Sequence, residues 1–132
     1  KVEDGALSLD EVEHRILRPI RRDPRTHYAV NCASLGCPNL AAKAYTPTRM
    51  EAMLNEGAVA YVNHPRGATV EGGKLVVSSI YKWFVADFGG DDAGILAHLL
   101  QYAAPAKRVE LARFKSLGGN SDRYDWALND VR

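Results

Sequence analysis

Both cysteines of this 132-residue chain lie in one short segment, Asp23 to Pro38, which constrains the fold more than any other. Its middle, Thr26 to Cys32, is rich in aromatic and β-branched residues, and Pro24 and small residues bound it, which predicts a short buried strand. Cys32 would then lie where a strand ends. The small residues that follow favour a sharp turn, which would leave the thiol at the mouth of a cleft with backbone N–H groups nearby. Cys32 is therefore a candidate nucleophile.

Size and charge limit the classes of protein that fit this chain. Its length fits a single domain over residues 1–132, and 46% hydrophobic residues are enough for a core at that size. Seventeen basic and sixteen acidic residues leave a net charge of +1, which argues against nucleic acid as a partner. No apolar run approaches the ~18 residues that a membrane helix needs, so we expect no membrane partner. The expected partner is a small-molecule or peptide substrate, and the oligomeric state stays open.

The first predicted element is a helix that begins after Ser8. Ser8 and Glu11 have the spacing of a capping box. The helix is expected to end near Arg18, because Pro19 disfavours a helical conformation in the residue before it. At helical spacing Glu13 falls inside the apolar stripe, so we expect its carboxylate to face the interior beside an arginine or a histidine. The stripe consists of Leu9, Val12, Ile16 and Leu17.

The second half of the chain mixes helix signals with strand signals. After a helix, Gly72 and Gly73 indicate a tight hairpin between two short strands. Two more helices follow, and the later one leaves His98 outside its apolar side, which predicts an exposed imidazole. Alternation over residues 123–128 predicts a last strand with Asp125 on the face opposite the bulky side chains, where it would line a site. The bulky side chains of that strand are Tyr124, Trp126 and Leu128.

Four motifs, in order along nearly the whole chain, resemble the family known as domain of unknown function 547. They are Leu7 to Arg18, Asp23 to Ser34 with Cys37-Pro38, Ser79 to Phe84 with Asp87-Phe88, and Tyr124 to Asn129. The resemblance implies an α+β fold, with a small antiparallel sheet packed against several helices, similar to the papain and transglutaminase class of thiol enzymes. Its members occur in bacterial proteins, often secreted ones, which favours a periplasmic or secreted location. Members usually carry an upstream helical segment, so we expect this chain to be the C-terminal part of a longer one.

The resemblance implies a cysteine-based hydrolase or transferase, with Cys32 as nucleophile acting on an amide, peptide or γ-glutamyl-type bond. His27 is near in sequence, but five residues along a straight strand put it about 17 Å away and on the other face. His14 and His64 are then left as candidates, and His14, which follows Glu13 on a capped helix, is preferred as the base. Glu13 or Asp125 would orient it or hold the local charge.

A cluster of arginines precedes the thiol segment and suggests how a substrate would bind. Arg18 and Arg25 are candidates to receive a substrate carboxylate, and Asn31 and Ser34 are candidates to contact the substrate beside the thiol. The cysteine spacing does not make a zinc site, so we expect neither a metal nor a cofactor.

A second interpretation keeps the same fold without catalysis. In it, the domain is a binding or interaction module on a thiol-enzyme-like scaffold. Cys32 and Cys37 are then a disulfide or an inert structural pair. A count of free thiols separates the two interpretations.

Overall fold

The computed structural model describes residues 6–117 and 122–130. The chain begins with helix α1, residues 9–21, in which α-helical Leu9–Glu11, π-helical Val12–Leu17 and α-helical Arg18–Arg21 follow one another directly. The predicted capping box is confirmed. The Ser8 hydroxyl accepts the Glu11 N–H at 3.1 Å, and the Glu11 carboxylate accepts the Ser8 N–H at 3.0 Å.

The predicted end of α1 near Arg18 is wrong, because the helix runs on to Arg21. In the π-helical part, the N–H of Arg18 bonds to the carbonyl of Glu13 rather than to that of His14, one residue closer, as it would in an α-helix. This wider turn directly precedes Pro19, which has no N–H to donate. The helix therefore continues through the proline at a point where its backbone hydrogen bonds are already irregular. Leu9, predicted to be in the apolar stripe, is 89% exposed.

The predicted strand from Thr26 to Cys32 is also wrong. Pro24–Tyr28 is a 3-10 helix, and the Asp23 carboxylate accepts the N–H of Arg25 at 2.9 Å. Aspartate before proline is a helix start, since the side chain caps the first turn and proline presets its backbone angle. This local capping outweighs the β-propensity of the residues that follow, although the 3-10 helix is buried as expected.

The sheet has three strands in the order β1, β2, β3. Strands β1, Ala68–Glu71, and β2, Lys74–Ser78, form the predicted hairpin, and Gly72 and Gly73 take positive φ at its turn. Strand β3, Asp122–Arg123, pairs parallel to the end of β2, so the sheet is mixed rather than antiparallel. Beyond β3, the predicted long last strand is reduced to a single bridge between Ser34 and Leu128. Trp126 and Leu128, expected in the core, are about 70% exposed.

Four helices complete the α+β fold and confirm its class. They are α2, Met50–Asn63; α3, Ser79–Trp83; α4, Asp92–Tyr102; and α5, Pro105–Leu111. A 3-10 helix, Val85–Phe88, joins α3 to the loop before α4. The largest fully buried side chains come from the first 3-10 helix, strand β2 and helices α2 to α5. They are Tyr28, Val62, Leu75, Val77, Tyr81, Ile95, Leu99 and Leu111. Within the described ranges, no helix has both the length and the apolar character to cross a membrane.

His98 on α4 is buried, which corrects the predicted exposure. Its Nε2 lies 2.7 Å from the Tyr28 hydroxyl, which in turn lies 3.2 Å from the Tyr81 hydroxyl. Hydrogen bonding makes an imidazole acceptable in a core where periodicity alone would place only apolar groups. Burial lowers the pKa of His98 to about 4, so the ring is neutral at physiological pH.

Candidate active site

A cavity of about 420 Å³ opens beside Cys32, and we call it the thiol cavity. Helix α1, the first 3-10 helix, the loop around the cysteines, helix α3 and the segment 124–126 all contribute to it. Its wall is formed by Asp10, Glu13, His14, His27, Val30, Asn31, Cys32, Cys37, Pro38, Ile80, Trp83, Phe84, Tyr124 and Trp126. The fold thus brings together Cys32, His14, Glu13 and Asn31, as predicted.

Cys32 is exposed, and three polar groups surround its sulfur. Its Sγ lies 2.8 Å from the Tyr124 hydroxyl, 3.4 Å from the Ser34 hydroxyl and 2.7 Å from the Cys37 Sγ. Partial burial opposes ionisation, but hydrogen bonds from Cys37, Ser34 and Tyr124 outweigh it and lower the pKa of the Cys32 thiol. Cys32 is therefore the more acidic of the two thiols.

Cys37 has the opposite environment. It is buried, and its Sγ accepts the backbone N–H of Cys32 at 3.0 Å. Burial, together with the hydrogen bond to Cys32, raises the pKa of Cys37 to about 11. Cys37 therefore stays protonated, with its Sγ 2.7 Å from that of Cys32.

The turn after Cys32 holds the thiol outward through a strained residue. Ala33 has a φ of +58°, in the left-handed region that non-glycine residues rarely adopt. Its N–H donates to the Asn31 side-chain oxygen at 2.9 Å, and the Cys32 N–H is bonded to Cys37. The N–H groups of Cys32 and Ala33 are thus already used, whereas the N–H of Ser34 bonds to the Cys32 sulfur itself. The Tyr124 hydroxyl and the second amide proton of Asn31, whose Nδ2 also bonds to the Pro38 carbonyl, are the donors that remain close to the thiol.

His27 also lines the thiol cavity. The expected separation of about 17 Å from Cys32 assumed a straight strand, and His27 lies in a 3-10 helix instead. Its Nε2 lies 2.7 Å from Oδ2 of Asp87. The Arg18 guanidinium and His27 overcome burial and lower the pKa of Asp87, so Asp87 is an acceptor. The proton of a neutral His27 ring must therefore lie on Nε2, which leaves Nδ1 with a lone pair.

Nδ1 of His27 has no hydrogen-bond partner among the described residues. The nearest carboxylate oxygen, Oε1 of Glu13, lies 3.9 Å away, beyond hydrogen-bond distance. The His27 side chain is only 3% exposed and stacks on Phe84 at 4.3 Å between ring centres. Burial lowers the pKa of His27 in spite of Asp87. Geometry and tautomer together give a neutral imidazole that can accept a proton.

His14, the predicted base, is differently placed. Its Nδ1 lies 2.9 Å from Nη1 of Arg18, and a guanidinium can only donate, so the Nδ1 lone pair is occupied. Its Nε2 lies 3.4 Å from the Asp10 carboxylate. Within the same cavity, His27 has an uncommitted acceptor nitrogen and His14 does not.

The predicted arginines lie outside the thiol cavity. Arg18 pairs with Asp87 at 2.7 Å and lines a neighbouring cavity. Arg25 pairs with Asp23 at 2.6 Å and with Glu51 at 2.9 Å on the side of α2. Both guanidinium groups are thus engaged with carboxylates of this chain.

Ser34 and Asp125, the other predicted site residues, do not line the thiol cavity. Ser34 is buried, and its hydroxyl lies 2.6 Å from that of Tyr124 and 3.4 Å from the Cys32 Sγ. It therefore contacts the thiol from the protein interior. Asp125 lines a second cavity of about 650 Å³, beyond Tyr124, together with His64 and Arg66. The structure therefore does not bring Asp125 to the thiol cavity, because the segment that carries it is not a strand with one face toward Cys32.

Sequence reasoning missed Asp87, Tyr124 and the two tryptophans as site residues. Each of them falls in a motif that carries the family resemblance, yet none is close to Cys32 in sequence. That position inside a motif was the one signal available to find them.

The family model described as "Protein of unknown function, DUF547" matches residues 1–62. The matched stretch contains α1, the first 3-10 helix and the loop with both cysteines, so it supports the family suggested by the motifs. Residues that complete the thiol cavity, from α3 and the segment 124–126, lie after the matched stretch. No curated protein and no solved structure matches the chain.

Proposed function

From the family match over residues 1–62, we propose that this chain is a cysteine-dependent hydrolase or transferase acting on an amide, peptide or γ-glutamyl-type bond. Its arrangement would then be of the papain and transglutaminase kind. The observation that carries the proposal is the convergence of an acidified thiol, Cys32, and a histidine oriented by a carboxylate, His27 with Asp87, on one cavity. Nucleophile, base and orienting group are the three parts that thiol chemistry needs.

In the proposed reaction, Nδ1 of His27 takes the Cys32 thiol proton, and Asp87 stabilises the resulting imidazolium. The thiolate attacks the substrate carbonyl carbon and forms an S–C bond, while the oxygen gains the electron pair of the C=O bond. As the tetrahedral intermediate collapses, the C–N bond breaks and His27 gives its proton to the departing amine. Water then releases the acyl group as an acid, or a second amine takes it.

Two donors are proposed for the oxyanion that forms during attack. They are the Tyr124 hydroxyl, 2.8 Å from Cys32 Sγ, and the free amide proton of Asn31. No direct hydrogen bond joins Cys32 to His27 in the described arrangement. Catalytic hydrogen bonds of ligand-free sites commonly tighten only when substrate is bound.

The test uses p-nitrophenyl acetate, because acyl transfer to a thiolate releases coloured p-nitrophenolate and leaves an acetyl group that mass spectrometry can assign to a residue. Wild type should acquire the acetyl group on Cys32. Cys32→Ala should release no more p-nitrophenolate than buffer, with an unchanged circular dichroism spectrum. Equal release by folded Cys32→Ala would refute the proposal.

The same assay identifies the base. His27→Gln should slow acylation by about 10²- to 10⁴-fold, the usual contribution of a general base. His14→Gln should have a much smaller effect, and His64→Gln, in the second cavity, serves as the matched control. If His14→Gln has the larger effect, the base is His14, as the sequence predicted.

A non-catalytic binding module is the alternative, and one observation favours it. The two sulfur atoms lie 2.7 Å apart, and Cys37 also accepts the Cys32 N–H, so the pair is closely coupled inside the chain. The discriminating measurement is a thiol count under denaturing conditions on protein purified without reductant. Two free thiols, one of them unusually reactive at neutral pH, support the enzyme, and no free thiol supports the module.

A further inference from the structure

The charge of the thiol cavity differs from that expected of a site for anionic substrates. Asp10 and Glu13 line the cavity, and its lining includes neither lysine nor arginine. The arginines that the sequence assigned to a substrate carboxylate are held by Asp87 and by Asp23 with Glu51 elsewhere. Among the described residues, the carboxylates of the lining are therefore its only permanently charged groups, although the Arg18 guanidinium, paired with Asp87, lies next to the cavity over the Phe84 ring at 4.7 Å.

Neither lining carboxylate is neutralised by a lysine or arginine among the described residues. Asp10 lies 3.4 Å from His14, and Glu13 lies 3.9 Å from His27. Both contacts are to imidazoles, and the His14 contact is longer than an ordinary charge-assisted hydrogen bond. By contrast, Glu11, the residue after Asp10 on α1, has Arg15 at 2.8 Å. The cavity side of α1 thus carries two carboxylates, Asp10 and Glu13, with which a cationic ligand would form ion pairs.

Aromatic rings form the rest of the wall. Trp83 and Trp126 are 5.4 Å apart, and each packs within 5 Å of the Tyr124 ring. Trp126 is 70% exposed and Trp83 is 48% exposed, although both are large apolar side chains. Aromatic faces beside carboxylates are the surroundings that bind ammonium groups, through cation–π attraction and charge.

A second observation points to a ligand in the same place. Only 3% of the His27 side chain is exposed, and the ring lines the cavity. Its Nδ1 nevertheless has no hydrogen-bond partner in the described part of the chain. Nδ1 is not a fully buried atom, so it opens into the cavity, where a donor of a bound group or the reacting thiol would meet it.

We infer that the thiol cavity takes a substrate whose acyl half carries an ammonium group next to an apolar or aromatic group. Asp10 and Glu13 receive the ammonium group, and Trp83 and Trp126 cover the apolar part. This inference rests on the proposed function for the identity of the reacting bond. The ligand preference itself needs no chemistry and is testable without turnover.

The experiment measures binding by intrinsic fluorescence. The chain has two tryptophans, Trp83 and Trp126, and both line the thiol cavity, so the emission reports on it. Because Trp126 also borders the second cavity, the titrations are repeated in Trp126→Phe, in which Trp83 is the reporter. Three probes of nearly equal size are titrated into Cys32→Ser protein at neutral pH: benzylamine, benzyl alcohol and benzoate. Benzylamine should bind at least about fivefold tighter than benzyl alcohol, as expected from one close opposite charge, and benzoate should bind weakest.

Two substitutions assign the preference to its residues. Glu13→Gln and Asp10→Asn should each remove most of the advantage of benzylamine over benzyl alcohol, and Asp10, being exposed, is replaced without risk to folding. Glu110→Gln, which removes an acid near a different cavity, should leave all three affinities unchanged. Circular dichroism verifies that each variant is folded.

Equal binding of benzylamine and benzyl alcohol, tighter binding of benzoate, or no saturable signal from benzylamine would each overturn the inference. Failure of the proposed function is a separate outcome. If Cys32→Ala still acylates while benzylamine binds as expected, the cavity is an ammonium-binding site without a cysteine nucleophile.

Discussion

Acidification should destabilise this protein through His98, which lies in the core behind the thiol cavity. Its ring packs edge-on against Phe88 at 4.9 Å, and Phe88 in turn packs against His27 at 5.4 Å. Burial lowers the pKa of His98 from 6.5 to about 4, so the folded protein keeps this ring neutral where the unfolded chain protonates it. The unfolded state therefore binds more protons between about pH 6.5 and 4, and the free energy of unfolding falls as pH falls through that window.

The magnitude follows from the two pKa values. Between about pH 8 and about pH 5, the linkage relation gives a loss of about 2 kcal/mol from this one site. His98→Gln should remove that loss, because the amide keeps a hydrogen-bonding group near the Tyr28 hydroxyl and does not titrate. Urea unfolding followed by circular dichroism at the two pH values measures both proteins.

The expected result is that the stability gap between wild type and His98→Gln shrinks by about 2 kcal/mol on acidification. His64→Gln is the matched control, since that imidazole is exposed and should change the pH profile much less. Parallel profiles for wild type and His98→Gln would refute the reasoning. The result also matters for kinetics, because a loss of activity at acid pH has to be separated from unfolding before it is assigned to His27.

Three further predictions concern the site. Tyr124→Phe removes a donor to Cys32, so the pKa of that thiol should rise and its alkylation near pH 7 should slow, with little change in stability. Asp87→Asn should lower kcat with p-nitrophenyl acetate by about tenfold or more, because the His27 tautomer is no longer fixed; an unchanged kcat would remove Asp87 from the site. Ala33→Gly should stabilise the fold by up to about 1 kcal/mol in urea, since glycine adopts its positive φ freely, whereas Ala29→Gly, at ordinary helical angles, should destabilise it.

Features set by local chemistry were predictable from the sequence. The capping box at Ser8 and the hairpin at Gly72 and Gly73 depend on a few adjacent residues, and both are present as predicted. The turn that follows Cys32 was also predicted, because small residues follow the cysteine. These features carry their own stabilising contacts and need little support from the rest of the fold.

The errors came where tertiary contacts or capping override a pattern. Residues 26–32 have high β-propensity, but Asp23 and Pro24 start a helical turn, and the loss of the strand moves His27 to the thiol cavity. His98 looked exposed because periodicity counts apolar residues and cannot foresee a hydroxyl partner seventy positions away, at Tyr28. Residue alternation over 123–128 predicted a strand. It could not reveal that, among the described residues, the only β-bridge of this segment after β3 joins Leu128 to Ser34.

Several residues of the candidate site could be predicted from the sequence because they lie in neighbouring segments of the chain. Glu13, His14, Asn31 and Cys32 lie close together in the chain, and they meet at one cavity. Tyr124 reaches the same cavity from 92 positions after Cys32, and Asp87 bonds to His27 of its wall from 60 positions away. Contacts of that separation depend on how the helices pack, which residue patterns do not encode directly.

The most direct test of the account is the pH dependence of alkylation at each cysteine. Wild-type protein is treated with iodoacetamide over a range of pH, and peptide mapping by mass spectrometry follows Cys32 and Cys37 separately. Cys32 should react with a midpoint below that of a free cysteine, about 8.5, whereas Cys37, with a pKa of about 11, should stay nearly unmodified there. A midpoint for Cys32 at or above that of the free thiol, or equal reaction of the two cysteines, would contradict the claim that Cys32 is an activated nucleophile.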